Sequence, residues 1–262
     1  VTPGSGTWAF ETDFGVRMDS DKPEHIKEAI RVMARYVDIL GVRTFASLSS
    51  LQDDAEERVL SAFEEYSTVP LVSLESAMEH PCQMIADMLT IRERLSETRG
   101  KTFCLRWAPH IKSLPMAVPN SAALAGALLG MNLTIAAPKG YELHERYSTR
   151  LQQLCDASGT TFQHVTSLNE IPSDCEILYV KSWGAPEFYG NPTAQTKSFE
   201  SHKSWMVDEN DLGSTAYLMH CLPVRRNVVV SDRALDHERS VIIDQAENRL
   251  WGQLAVLNDL RA

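Results

Sequence analysis

The segment from Met219 to Asn227 carries a cysteine and two adjacent arginines after a run of apolar residues. Guanidinium groups bind carboxylate or phosphate through paired hydrogen bonds, so Arg225 and Arg226 are candidates for an anion site. The alternative is that a buried strand ends here at a proline turn and that both arginines are simply solvated. The residue types alone leave both interpretations open.

A second candidate group is the segment from Glu79 to Gln83. Pro81 suits the first position of a helix, which would place His80 at the positive helix terminus and Gln83 in the first turn. A histidine in that position tends to stay neutral and can donate a hydrogen bond to a carbonyl oxygen. A plain helix cap is the alternative. A third and weaker candidate is Arg43, which follows a short apolar run.

The elements that must position these residues alternate along the chain. Helices are predicted at 24–37, 53–66, 81–95, 120–131, 142–157 and 246–260. Strands are predicted at 38–42, 69–74, 101–107, 133–137, 160–165, 176–181, 216–221 and 241–244. This alternation predicts the α/β class, with parallel strands and helices on both faces of the sheet.

Ligands of such folds bind at the carboxyl ends of the strands. Five residues with useful chemistry fall at predicted strand ends, namely Arg43, Glu75, Trp107, Lys181 and Cys221. Their common position indicates one functional edge, although the fold class alone does not say which reaction occurs there.

Composition excludes several classes of function. The net charge is −10, which argues against nucleic acid or an anionic membrane as a partner. No apolar run approaches the length of a bilayer span, and no signal peptide is visible. The five cysteines form no CxxC pair, so neither a disulfide framework nor a zinc site is expected, and a reducing cytoplasm fits best. Motifs for a dinucleotide or a P-loop nucleotide are absent.

Three motifs in this order carry a resemblance to a known family. They are HPCQ at 80–83, HCLPVRRN at 220–227 and AENR at 246–249. Together they resemble the aspartate/ornithine transcarbamylase family, and the resemblance extends from Trp8 to the last helix. HCLP is characteristic of the ornithine-type members, whereas aspartate transcarbamylases carry HPLP at this point.

Other segments resemble the branch of that family that acts on N-acylated ornithine. KSWG at 181–184 is similar to both acetyl- and succinyl-specific members, while DKPEHI at 21–26, WAPH at 107–110 and GYEL at 140–143 are similar to succinyl-specific ones. Acetyl-specific members carry a glutamate where Pro23 stands and a carboxylated lysine where Val229 stands. A carboxylate at position 23 would repel the second carboxylate of a succinyl substrate, and proline removes this repulsion. The departures at Pro23 and Val229 both favour succinyl. Alternatively, Pro23 only starts a helix.

The resemblance implies two doubly wound parallel-sheet domains. A carbamoyl-phosphate domain is expected at 1–100, an acceptor domain at 101–244, and a C-terminal helix at 245–262 that returns to the first domain. The family's Ser-x-Arg-Thr-Arg phosphate loop has no counterpart in this sequence, so the first domain is expected to be truncated at its N-terminus. A homotrimer with shared active sites is also implied.

Functional residues follow position by position from the resemblance. Arg43, His80 and Arg249 would polarise the carbamoyl oxygen, while Gln83 and the backbone of Cys221 and Leu222 would hold the carbamoyl nitrogen. Cys221 is expected to position the substrate and not to act as a covalent nucleophile. The acceptor would be bound by Trp8, Pro23, Phe45, Glu75, His110, Lys181 and Arg225. No metal or organic cofactor is expected.

The expected reaction is transfer of the carbamoyl group from carbamoyl phosphate to the δ-amine of N-succinyl-L-ornithine in cytoplasmic arginine biosynthesis. Two alternatives remain at this point. One is N-acetylornithine as the acceptor. The other is a non-catalytic binding remnant, should the natural product have only these 262 residues.

Overall fold

The computed structural model describes Thr2 and residues 8–261. Val1, residues 3–7 and Ala262, which belong to the predicted 1–100 and 245–262 segments, lie outside the described residues. The strands are β1 (Phe10–Glu11), β2 (Glu24–His25), β3 (Leu40–Arg43), β4 (Leu71–Glu75), β5 (Thr102–Trp107), β6 (Asn132–Ala136), β7 (Phe162–Val165), β8 (Ile177–Lys181) and β9 (Tyr217–Met219). The helices are α1 (Ile26–Met33), α2 (Leu51–Glu56), α3 (Arg58–Tyr66), α4 (Pro81–Arg94), α5 (Ala117–Leu128), α6 (Glu145–Ser158), α7 (Pro192–Ser201), α8 (Asp232–Leu235) and α9 (Ile242–Asp259).

All the sheets formed by these strands are parallel. The largest has the order β7-β6-β5-β8-β9, and two smaller sheets pair β3 with β4 and β1 with β2. The chain first moves outward from β5 to β7, then returns to β8 on the other side of β5. The strand order therefore reverses between β5 and β8, which is where such sheets bind ligands. The predicted α/β class with parallel sheets is confirmed.

The core of the larger sheet explains its local sequence. β5 and β8 are almost completely buried, as expected for central strands covered on both faces. Helix α5 consists mainly of small residues and packs closely on this sheet. At Gly126 a Cβ atom would lie 2.9 Å from Cγ of Phe103, so only glycine permits this approach.

Helix α4 connects the two parts of the molecule. It packs against α5 on one side and against the terminal helix α9 on the other. The HPCQ and AENR motifs, which are far apart in sequence, therefore lie on neighbouring helices. Within the described residues, no helix has both the length and the apolar character needed to cross a bilayer.

Three local predictions were wrong. The strand predicted at 241–244 does not form, because α9 already begins at Ile242 and only a single bridge joins Ser240 to Leu218. The predicted 53–66 helix is divided at Glu57, whose φ of 47° is left-handed. Pro23 does not start a helix, because β2 follows it and α1 begins only at Ile26.

Candidate active site

His80 is held at the start of α4 as the helix cap. Its Nδ1 accepts a hydrogen bond of 3.3 Å from the backbone N–H of Gln83, and its own backbone N–H donates to Ser121 Oγ of α5 at 2.7 Å. Burial lowers the pKa of His80 to about 4, and the charges of Arg249, Arg43 and Lys181 act in the same direction against that of Glu75. A neutral imidazole that accepts at Nδ1 carries its proton on Nε2, so His80 presents one N–H donor.

Arg43 and Glu75 form an ion pair at the carboxyl ends of the adjacent strands β3 and β4. Glu75 Oε2 accepts from Arg43 Nη2 at 2.6 Å and from Nε at 2.9 Å. The Arg43 guanidinium also lies over the ring of Phe45, 4.7 Å from its centroid. His80 Nε2 is 3.9 Å from the same Glu75 oxygen. The structure thus brings together four residues predicted for the site.

Cys221 and Leu222 lie in the loop after β9, at the edge shared with Lys181. Burial raises the pKa of the Cys221 thiol, while the charge of Lys181 opposes this shift. The side chain is therefore a neutral thiol at neutral pH and a poor nucleophile. Leu222 has a left-handed φ of 56°, and its N–H donates to His220 Nδ1 at 3.0 Å, which stabilises the turn.

Two cationic side chains complete this cluster. Arg249 projects from α9, and its charge lowers the pKa of His80. No ion pair to Arg249 occurs among residues 8–261, and its buried Nε has no hydrogen-bond partner there. Lys181, at the end of β8, lowers the pKa values of His80, His110 and His220 through its charge.

The loop that carries Lys181 is anchored by the core. Trp183 is fully buried and donates from Nε1 to the carbonyl of Tyr141 at 2.9 Å. Trp107, which ends β5, is also fully buried and donates to the carbonyl of Trp183 at 3.0 Å. Of the five predicted strand-end residues, Trp107 is therefore structural: it fixes the loop and does not face the site.

His110 and Arg225 form a second pair beside the main cluster. Arg225 Nε donates to His110 Nε2 at 3.2 Å, and His110 Nδ1 lies 3.0 Å from the carbonyl of Lys112. Burial lowers the pKa of His110, as do the charges of Arg225, Lys181 and Lys112, while the hydrogen bond to Lys112 opposes the shift. The neutral imidazole therefore holds the exposed Arg225 guanidinium in place.

Trp8 and Pro23 lie together beside the paired strands β1 and β2. Trp8 is 55% exposed, and its Nε1 donates to Glu24 Oε2 at 2.6 Å. β1 and β2 pair in parallel register next to these residues. In the described part of the chain, no hydrogen bond or ion pair connects either residue to the cluster around His80.

Sequence reasoning missed a buried polar group behind the site, formed by Asp87, Tyr179 and Gln245. Asp87 lies one helical turn after Gln83, and its Oδ1 accepts a hydrogen bond from Gln83 Nε2 at 2.8 Å. Gln245 Nε2 also donates to Asp87, at 2.6 Å, and its Oε1 accepts from the backbone of His220 at 2.9 Å. The i, i+4 spacing of two polar residues on the apolar face of α4 was the available signal.

This arrangement can polarise a carbonyl group. The Nε2–H of His80 and the guanidinium groups of Arg43 and Arg249 supply donors for an oxygen that gains negative charge. Gln83 Oε1 is buried and has no hydrogen-bond partner among the described residues, so it is available to accept from an N–H group. A group with an oxygen on one side and an amine on the other matches these donors and acceptors.

Comparison with known families agrees with this chemistry. The model of the aspartate/ornithine carbamoyltransferase carbamoyl-P binding domain matches residues 5–93, and that of the Asp/Orn binding domain matches residues 116–260. The chain belongs to the aspartate/ornithine carbamoyltransferase family. It is therefore a carbamoyltransferase by family, as the resemblance had predicted.

Within this carbamoyltransferase family, two kinds of relative are equally similar to the chain. An N-acetylornithine carbamoyltransferase of Xanthomonas campestris pv. campestris is 37% identical over 98% of this chain and 77% of the relative. An N-succinylornithine carbamoyltransferase of Bacteroides thetaiotaomicron is also 37% identical, over 97% of this chain and 76% of the relative. Overall identity therefore does not distinguish the two acceptors.

Solved structures from this carbamoyltransferase family match the fold closely. Acetylornithine transcarbamylase complexed with acetylcitrulline matches with a TM-score of 0.96 at 37% identity, covering 99% of this chain and 79% of that one. A glutamate-to-proline mutant of N-acetyl-L-ornithine transcarbamylase, complexed with carbamyl phosphate and N-succinyl-L-norvaline, matches with a TM-score of 0.95 at 37% identity. That match covers 99% of this chain and 80% of that one.

Proposed function

We propose that the protein transfers the carbamoyl group of carbamoyl phosphate to the δ-amine of an N-acylated ornithine, and that the acyl group is succinyl. The observation that carries the proposal is the cluster of His80, Arg43, Gln83 and Arg249 in a member of this family. The cluster offers three donors to the carbamoyl oxygen and one acceptor to its amine. The relatives named for acyl-ornithine acceptors support the acceptor class.

The proposed reaction is direct attack by the neutral δ-amine on the carbamoyl carbon. Negative charge then develops on the carbamoyl oxygen, where the Nε2–H of His80 and the charges of Arg43 and Arg249 stabilise it. The C–O bond to phosphate breaks as the tetrahedral intermediate collapses, and the proton lost by the amine balances the charge of the departing phosphate, which leaves as hydrogen phosphate. Glu75 supports this step indirectly, because its two hydrogen bonds fix the Arg43 guanidinium.

The proposal assigns acceptor binding to Lys181, Arg225 and His110. Lys181 and Arg225 would neutralise acceptor carboxylates, which the net charge of −10 otherwise repels. Residues 1–100 would hold carbamoyl phosphate, residues 101–244 the acceptor, and the segment 245–262 would return Arg249 to the first domain. The packing of α9 on α4 and the separate sheets support this division.

We extend the proposal to a cytoplasmic homotrimer in which Trp8 and Pro23 of one subunit reach the acceptor site of a neighbour. The exposure of Trp8 and Phe45 supports shared sites, as does the lack of any hydrogen bond or ion pair, among the described residues, between Trp8 or Pro23 and the His80 cluster. Sedimentation equilibrium tests the trimer, and a species with the mass of one subunit at assay concentration would contradict it.

The acceptor preference is expected to depend on position 23. The protein should carbamoylate N-succinylornithine well above N-acetylornithine and should hardly use ornithine. Pro23→Glu should lower kcat/KM for the succinyl acceptor by about tenfold or more, because it places like charges together. The carboxylate of the neighbouring Glu24 is already occupied, because it accepts a hydrogen bond from Trp8 Nε1. Steady-state assays with the three acceptors measure this.

Pro23→Gln is the matched control, since glutamine has the shape of glutamate without its charge. It should retain more succinyl activity than Pro23→Glu. N-succinyl-L-norvaline is bound in the glutamate-to-proline mutant of that relative and equally in its alanine, serine and valine mutants, which supports absence of the glutamate as the feature that accommodates succinyl. Equal use of free ornithine would refute the acyl-ornithine proposal. Clear preference of the natural protein for the acetyl acceptor would establish the second candidate, which the acetyl-type relatives support as much as the succinyl-type relatives support the first.

Replacing Cys221 with serine is expected to reduce turnover by no more than about tenfold, because serine keeps a hydrogen-bonding group in the loop. Loss of a covalent nucleophile would instead cost about 10⁶-fold. Cys155→Ser, at a buried cysteine in the remote helix α6, controls for the substitution itself. Initial rates test the prediction, and a carbamoyl-thioester trapped on Cys221 by rapid quench and mass spectrometry would overturn it.

A further inference from the structure

A completely buried carboxylate lies directly behind the carbamoyl site. Asp87 Oδ1 accepts from Gln83 Nε2 at 2.8 Å and from Gln245 Nε2 at 2.6 Å. Its Oδ2 has no hydrogen-bond partner among the described residues. Burial of a carboxyl group with one unpaired oxygen destabilises the folded protein, so we expect this residue to have a functional role.

The hydrogen bonds to Asp87 determine which way the Gln83 amide faces. A carboxylate oxygen that accepts from two NH2 groups cannot also donate to them, so any proton on Asp87 resides on Oδ2. Because Gln83 donates to Asp87 through Nε2, its Oε1 is left as the free acceptor. The two ends of an amide are nearly equal in size, so without Asp87 nothing on this side prevents a half-turn that exchanges oxygen for NH2.

The same carboxylate also fixes the loop that contains Cys221. Gln245 directs Nε2 at Asp87 and at the hydroxyl of Tyr179, 3.3 Å away. Its Oε1 is thereby free to accept from the backbone N–H of His220 at 2.9 Å. One buried group thus aligns a side chain of α4 and the backbone that leads into the loop after β9.

We propose that Asp87 is a positioning residue for the amine of the carbamoyl group. Asp87 keeps Gln83 Oε1 available to accept a hydrogen bond from that amine. Through Gln245, it also holds the loop at Cys221 in position beside the amine. Asp87 itself does not touch the substrate. This inference rests on the proposed function, since it requires carbamoyl phosphate at the site.

Binding of two acyl phosphates by the full natural protein, measured by calorimetry, tests the inference. Acetyl phosphate carries a methyl group where carbamoyl phosphate carries NH2, so it has no N–H to donate to Gln83. Asp87→Ala is expected to weaken carbamoyl phosphate binding by about tenfold and to change acetyl phosphate binding by less than about twofold. Asp87→Asn can keep an acceptor oxygen towards Gln83 and should recover most of the affinity for carbamoyl phosphate.

Two further variants separate positioning from structural support. Thr90→Val removes a 3.0 Å hydrogen bond to Asn248 in the same α4–α9 interface and should leave both affinities unchanged. In the Gln83→Met background, Asp87→Ala should cause a clearly smaller loss than in the natural protein, because only the part that acts through Gln245 remains.

The possible outcomes are distinct. If Asp87→Ala weakened the binding of both acyl phosphates equally, or of neither, the positioning role would be overturned. Failure of the natural protein to bind carbamoyl phosphate would instead refute the proposed function, and the positioning role with it.

Discussion

Replacing His80 with asparagine is expected to lower kcat for carbamoyl transfer by about 10²- to 10³-fold, the usual effect of losing one donor to a developing oxyanion. In the folded protein, His80 accepts from the Gln83 N–H through Nδ1, so the donor that remains is Nε2–H. Asparagine is a good helix cap and can accept the same bond, but it is too short to replace Nε2. The variant should therefore lose rate and not stability.

His80→Ala provides the contrast, because it removes both the cap and the donor. It should be as slow as His80→Asn and in addition about 1 kcal/mol less stable. Since burial lowers the pKa of His80 to about 4, the rate ratio between natural protein and His80→Asn should be constant from neutral to alkaline pH. Steady-state kinetics and urea unfolding measure the two effects. If only His80→Ala is slow, His80 acts as a cap and not as a catalytic donor.

The parts of the site that could be predicted from sequence are those set by local rules. Pro81 and the alternation of strand and helix predict that α4 begins where it does, which places His80 at its terminus. Arg43 and Glu75 were expected at the ends of buried strands, and their pairing follows because β3 and β4 are adjacent. These inferences required only periodicity and the geometry of parallel sheets.

The parts that escaped prediction depend on contacts between distant segments. Asp87 and Gln245 are 158 positions apart, and neither has a local pattern that reveals the other. Trp107 looked functional at a strand end, yet the core contact to Trp183 makes it structural. The strand predicted at 241–244 was wrong for a different reason, because the three apolar residues 241–243 suit a strand and the first turn of a buried helix equally well.

Relative to Asp87→Asn, the natural protein is expected to lose on the order of 4 kcal/mol of folding stability as pH rises from about 4 to 7. Burial raises the pKa of Asp87 from 3.8 to about 7, although hydrogen bonds from Gln83 and Gln245 and the charge of Arg249 oppose the shift. A raised folded-state pKa means that the neutral acid is favoured in the folded protein. Its stabilising contribution is complete below pH 4 and is lost as pH rises through 7.

The other groups around Asp87 do not obscure this difference. Tyr179 of β8 and Cys221 of the β9 loop have raised pKa values and stay neutral below pH 7, while Arg249 of α9 stays charged. His80 has a lowered pKa, so its contribution falls as pH drops from 6.5 towards 4, but this occurs in both proteins and cancels. Urea unfolding at intervals between pH 4 and 8 gives the difference directly, with Thr90→Val as a control that should show no slope. If the natural protein shows no change in stability relative to Asp87→Asn over this range, or gains stability as pH rises, Asp87 is ionised in the folded protein at neutral pH and its buried charge is compensated by groups other than those described.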